Sequence, residues 1–128
     1  MSKIPSQLKY SKEHEWVRVD DDIAYIGITD YAQESLGEIV YVELPEVGDV
    51  VEANQEVANI ESVKAASAIY NPINGTIDEV NEDLNDNPEV INENSYKHHL
   101  YTLVDFDQAE IDALLDAASY KEYIETLD

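Results

Sequence analysis

The chain has 128 residues, 44% of them apolar, no cysteine, and 7 basic against 29 acidic side chains for a formal net charge of −22. These values allow one domain (residues 1–128) with a real core, exclude disulfides, thiolate metal sites and cysteine nucleophiles, and argue against nucleic acid, whose phosphates such a surface repels. No apolar run is long enough to cross a bilayer and Met1 to Tyr10 has no signal-peptide or arginine-rich character, so the expectation is no membrane and a cytoplasmic protein, or a mitochondrial matrix one if the chain is a processed eukaryotic form.

Taken in chain order, Trp16, Val17 and Val19 begin a strand. The triplet Asp20-Asp21-Asp22 turns the chain, and Ile23 to Ile28 returns to complete a hairpin. Asp30 with Gln33 matches a capping box, and Gly37 stands where a helix end favours a left-handed residue, which predicts a short helix near 30–36. From Gly37 to Leu44 a strand alternates, with Ile39, Tyr41 and Glu43 opposite Val40, Val42 and Leu44, and Pro45 ends it. Pro45-Glu46-Val47-Gly48-Asp49-Val50 resembles Pro72-Ile73-Asn74-Gly75-Thr76-Ile77, which suggests two similar β-units packed face to face, one before residue 64 and one after.

Between the two copies, Ala58, Ile60 and Ser62 alternate with Val57, Asn59, Glu61 and Val63. Beyond residue 64, Ala66, Ala68 and Tyr70 alternate with Ser67 and Ile69, so a hairpin is centred near Lys64. Short strands with Gly, Pro and Asn turns favour a sandwich or barrel, a β core over about 10–105. Asp107 with Glu110 opens a helical segment over about 107–127, with Ile111, Leu114, Leu115 and Ala118 at helical spacing. Ser119 with Glu122 caps a second helix that carries Tyr123, Ile124 and Leu127 on one face.

Lys64 is the only basic residue between Arg18 and Lys97. At a hairpin tip flanked by Ala65 and Ala66 its amine is sterically open, and its long stem extends the reach of anything attached to it. The same facts suit a plain solvated surface lysine. No Gly, Asn or Asp occupies the tip, so turn propensity does not by itself demand it. His98 and His99, adjacent on a strand, point to opposite faces and do not share an ion, so no metal is expected there. Asp83, Asp86 and Glu89 fall in an Asn-rich loop that reads as solvated. No carboxylate pair singles itself out as a general acid and base, and no Gly-rich phosphate loop follows a strand.

Glu61-Ser62-Val63-Lys64-Ala65-Ala66-Ser67 resembles the lipoylation motif of glycine cleavage H proteins. His14-Glu15-Trp16, Gly27-Ile28-Thr29-Asp30-Tyr31-Ala32-Gln33, Val42-Glu43-Leu44-Pro45-Glu46-Val47-Gly48 and Asn71-Pro72-Ile73-Asn74-Gly75 resemble other stretches of the family in the same order. The resemblance implies a mainly β fold: a flattened barrel, or barrel-sandwich hybrid, of the lipoyl-biotinyl carrier type with C-terminal helices. It implies covalent lipoic acid on Lys64, with Glu61, Ser62, Val63, Ala65 and Ser67 as the recognition motif. It implies a non-catalytic carrier shuttling the aminomethyl group of glycine among three partners: the decarboxylating glycine dehydrogenase, the aminomethyltransferase and the dihydrolipoyl dehydrogenase. A lipoate ligase or lipoyl transferase would load it. Two departures stand out. The family's Gly-Trp pair is absent from Ser95 to Tyr101, and Ala68 replaces a common aspartate, which leaves Glu15 as the carboxylate implied to contact the loaded arm. A lipoyl relay that donates lipoate to other enzymes is the alternative function. Val63 and Ala65 do not match biotin carriers, nor Val63 the lipoyl domains of 2-oxo acid dehydrogenases.

Overall fold

The computed structural model describes residues 3–127; Met1, Ser2 and Asp128 of the expected domain lie outside the described residues. Among the described residues nine strands and five short helices follow one another. Strands β1 (Lys9–Tyr10), β2 (Glu15–Asp20) and β3 (Ile23–Ile28) lead into helix α1 (Asp30–Leu36). Then come β4 (Ile39–Glu43), β5 (Val50–Val51), β6 (Glu56–Ser62), β7 (Ala66–Tyr70) and β8 (Gly75–Val80). Helices α2 (Asp83–Asp86) and α3 (Val90–Glu93), strand β9 (Tyr101–Val104), and helices α4 (Gln108–Asp112) and α5 (Ala117–Glu125) complete the chain.

All strand pairs are antiparallel and fall into two sheets, β1-β2-β3-β9-β8-β5 and β4-β6-β7. The two sheets do not close into one continuous barrel; they enclose a shared core, the sandwich form of the expected fold. Val17, Ile26, Ile28, Ile77 and Leu103 of the larger sheet meet Ile39, Val42, Ile60 and Ile69 of the smaller. A second cluster forms outside the larger sheet, where Leu8, Tyr10 and Trp16 receive Tyr120 and Ile124 of α5. Tyr10 and Tyr120 stack with centroids 4.7 Å apart. Gly27 is required at this interface, because a Cβ there would lie 2.5 Å from the Trp16 ring.

The β2–β3 hairpin runs from Glu15 opposite Ile28 to Asp20 opposite Ile23, and Asp21 takes φ +55° in its turn. The two copies of the internal repeat are hydrogen-bonded neighbours within one sheet. Val50 pairs Thr76, Gly48 N–H donates to the Ile77 carbonyl at 2.8 Å, and Ile77 N–H donates to the Asp49 carbonyl at 2.8 Å.

Several sequence expectations are corrected. Helix α1 is capped by Thr29, whose Oγ1 accepts from Ala32 N–H, while Asp30 sits inside the first turn and accepts from the Gln33 side chain. Strand β4 does not alternate simply: a bulge at Val40 leaves Ile39 and Val42 both buried and Val40 and Tyr41 both exposed. Residues 83–93 contain two single-turn helices, held by buried Leu84 and Ile91, where a loop was expected. His98 and His99 lie in a bend before β9, not on a strand. Asp107 caps α4 as expected, but α5 begins two residues before Ser119 and is capped by Asp116. Its buried residues are Tyr120 and Ile124; Leu127 is exposed. The helical spacing breaks at Leu115, which pairs with Tyr10 in a β-bridge, and Ala118 is exposed.

Candidate functional site

Lys64 is the middle of three exposed residues, Val63 to Ala65, that join β6 to β7. The register brings Glu61 opposite Ala66, and Ser62 N–H donates to the Ala65 carbonyl at 2.7 Å. Ser62 Oγ also accepts from Ala65 N–H at 3.1 Å. Neither Val63 nor Lys64 takes a positive φ. The serine side chain therefore closes the turn that glycine or asparagine would close in a mirror-image turn, which is why the tip needs neither residue. Val63 N–H donates to the Glu38 carbonyl at 3.0 Å and ties the tip to the entry of β4.

The stem of Lys64 bends back over Gly37, the C-cap of α1. A Cβ at residue 37 would lie 3.3 Å from Lys64 Cε and 3.9 Å from Nζ. Gly37 holds φ +81° and ψ −153°, a conformation open in practice only to glycine. Asn92 pins the junction: its Nδ2 donates to the Gly37 carbonyl at 2.8 Å and its Oδ1 accepts from Ile39 N–H at 2.9 Å. One short side chain thus holds the end of α1 and the start of β4 under the lysine.

A groove of about 260 Å³ runs between α1 and β7 and reaches Leu36, the residue before Gly37. Its walls are Tyr31, Ala32, Ser35 and Leu36 on the helix side and Ser67, Ala68 and Ile69 on the strand side. Glu13, His14 and Ile28 complete it. His14 stands at φ +71°, and its Nδ1 is 2.9 Å from the Tyr120 hydroxyl, which also bonds Thr29 Oγ1 at 2.7 Å. Burial lowers the imidazole below its ordinary value against the opposing pull of Glu13, so the ring is neutral near pH 7.

Glu15 does not stand on the groove wall. It is 1% exposed, with Oε1 accepting from Ser11 Oγ at 2.7 Å and Oε2 buried without a hydrogen-bond partner. Burial pushes its carboxyl up to about 8, against the opposing effects of the Ser11 hydroxyl and the nearby Tyr70 amide. It is therefore largely a neutral acid at pH 7. The sequence-derived site residues thus divide into three groups. Lys64 with Glu61, Ser62, Val63 and Ala65 forms the tip. Ser67 and Ala68 line the groove. Glu15 lies inside, next in sequence to the groove residue His14. Sequence reasoning missed Glu13, His14 and Tyr31 as groove residues. The signal for two of them was present, since His14 and Tyr31 fall within the matching stretches around Glu15 and Asp30.

The comparisons agree with one another. A family model described as glycine cleavage H-protein matches residues 8–127. The chain is 51% identical over 125 residues to the glycine cleavage system H protein of Halalkalibacterium halodurans, covering 97% of this chain and 98% of that protein. It is 56% identical over 117 residues to that of Geobacillus thermodenitrificans, covering 91% and 92%. Its fold is similar to the crystal structure of a glycine cleavage system H protein from Mycobacterium marinum, with a TM-score of 0.83, 34% identity, and 96% and 98% of the two chains covered.

Proposed function

The chain belongs to the glycine cleavage H-protein family, and on that premise we propose that it carries lipoic acid as an amide on Lys64. We further propose that it shuttles the aminomethyl group of glycine from the decarboxylating glycine dehydrogenase to the aminomethyltransferase, with a dihydrolipoyl dehydrogenase restoring the arm. One observation carries the reading: an open lysine at a rigid tip, its stem laid over Gly37 beside a groove. When attached, the lipoyl group supplies a reducible disulfide that accepts and releases the aminomethyl unit. The protein's own residues present, shelter and hold. Ser62 and Glu38 fix the tip so that a modifying enzyme meets one shape. Leu36, Ile28 and Ile69 give the groove an apolar floor suited to a hydrocarbon arm. Amide formation removes the Lys64 charge and takes the net charge from −22 to −23.

Glu15, buried behind the groove residue His14 and outside the groove wall, is the carboxylate we propose for the cationic amine of a loaded arm, a contact that requires its buried Oε2 to become reachable from the groove. Approach of that cation favours the carboxylate, so Glu15 gives up its proton and gains a charge-assisted partner, worth on the order of 1.5–3 kcal/mol. Ala68 places no second carboxylate in the wall.

Treatment with lipoate ligase, lipoate and ATP, followed by intact mass and peptide mapping, tests the attachment. One lipoyl group is expected, on Lys64, and none in Lys64→Arg; a lipoyl group on Lys97 or Lys121 overturns the assignment. Glycine cleavage assayed with the three partner enzymes tests the shuttle. Glu15→Gln is expected to shorten the lifetime of the loaded form and Ala68→Asp to lengthen it, read as release of ammonia or formaldehyde. Two lifetimes equal to the parent's would mean that no acidic contact holds the arm.

A further inference from the structure

The surface on the β4 side of Lys64 groups three exposed apolar side chains. Val40 is 49% exposed, Tyr41 48% and Val63 67%. Tyr41 lies directly opposite Glu61 on the outer face of the small sheet, and Val63 is diagonal to it. The bond from Val63 N–H to the Glu38 carbonyl fixes the three residues relative to one another. Around them stand the exposed carboxylates Glu38, Glu43 and Glu61. The Val40 bulge turns two successive apolar side chains, Val40 and Tyr41, out to solvent. An apolar centre with a one-signed charged rim is the anatomy of a protein docking surface.

We propose that Val40, Tyr41 and Val63 form the docking surface for the enzyme that acylates Lys64, a partner presenting an apolar contact ringed by lysine or arginine. This rests on Lys64 being the attachment site. Reach decides the occupant. Once an arm is attached, a later partner can act at its distal end, away from Lys64. The acylating enzyme has no arm to use and must bring its activated acyl donor to Nζ itself. There the neutral amine attacks the acyl carbon, and a C–N bond forms as the bond to the leaving group breaks. The leaving group departs with the electron pair, and the surplus nitrogen proton passes to solvent. An enzyme surface of standard size covers about 800 Å², a disc of roughly 16 Å radius. Centred on Lys64, it includes β4, the neighbour of β6 at about 4.8 Å. Part of the recognition signal thus lies more than twenty residues before the lysine in sequence, brought beside it by the β4–β6 register.

The test measures kcat/KM for acylation of the full chain by lipoate ligase with lipoate and ATP. Tyr41→Ser and Val40→Ser are expected each to lower it about tenfold, mainly through KM, with Tyr41→Phe close to the parent. Val50→Ser, at a residue 77% exposed on the other sheet, is the control and is expected to be silent. Because all these positions are on the surface, matching unfolding curves are expected. If the parent is acylated on Lys64 and the Tyr41 and Val40 variants match it, the docking inference is wrong while the attachment site stands. If the parent is not acylated on Lys64, both fall. If acylation is unchanged but aminomethyl transfer or a concentration-dependent dimer is lost, the face serves another partner or a second copy, and the proposal is overturned.

Discussion

Replacing Glu15 by glutamine makes a quantitative prediction about stability. In the unfolded chain the carboxyl titrates near its ordinary value of 4.5, and in the folded protein near 8. Below pH 4.5 both states hold the proton and Glu15 adds no pH dependence. Between about 4.5 and 8 the folded state holds one more proton than the unfolded state, so stability falls as pH rises, by about 1.4 kcal/mol per pH unit. Above pH 8 the slope vanishes. The interval from 4.5 to 8 corresponds to roughly 5 kcal/mol in all. Glutamine keeps an oxygen for the Ser11 hydroxyl and has no charge to desolvate. The other 28 acidic residues are common to both proteins, so their contributions largely drop out of the difference. The unfolding free energy of Glu15→Gln relative to the parent is therefore expected to rise by about 3 kcal/mol between pH 5 and pH 7.5. Urea titrations of unmodified protein at several pH values measure it, and the single tryptophan, Trp16, 1% exposed, reports unfolding by its fluorescence. Stability curves that stay parallel across this range would refute the buried, neutral Glu15 and the role built on its free oxygen.

Gly27→Ala is expected to lose about 1–3 kcal/mol, seen as a lower urea midpoint, because the new methyl meets the Trp16 ring, which is itself held by a 3.1 Å bond from Nε1 to the Ser95 carbonyl. Tyr101→Phe removes the hydroxyl that donates to buried Asn71 Oδ1 at 2.8 Å, and leaving that acceptor unpaired is expected to cost about 1–3 kcal/mol by the same measurement. Association with partner enzymes is expected to slow as salt rises, because screening shortens the reach of the −22 charge to about 8 Å at physiological ionic strength. Stopped-flow rates that stay flat with salt would leave the acidity without a role in encounter.

Much of this arrangement was legible before any coordinates. Strict alternation on both sides of Lys64 predicts the hairpin, because register is tightly specified where one face is buried. Gly37 announced the end of α1 through the backbone shape it alone adopts. Other features were hidden for definite reasons. Thr29 and Asp30 are both good caps, and sequence alone does not show that the Thr29 hydroxyl is also engaged by Tyr120 from the far end of the chain. Asp116 and Ser119 present the same ambiguity at α5. The bulge in β4 shifts the period by one residue, which no alternation count detects. Helices α2 and α3 are single turns without a 3.6-residue stripe, held in place by Leu84 and Ile91. Glu15 is the instructive case: on β2 it shares a face with core residue Val17, so period two already pointed it inward. Its charge suggested the surface, and burial prevailed by neutralising it.

The nested register around the lysine bears on how the protein comes to be folded. Val50 with Thr76, and Glu61 with Ala66, are each equidistant from the Val63–Lys64 step to within a residue, although the two pairs belong to different sheets. The chain from 50 to 76 therefore closes like a zip from its own apex. Each new pair extends a loop that is already shut, so the entropy of bringing distant segments together is met in small increments. The pairings that span most of the chain are β3 with β9 and the bridge from Tyr10 to Leu115. The turn that offers its amine for modification is thus closed by short-range contacts, whereas α5, which packs outside the larger sheet, joins it through contacts that span nearly the whole chain.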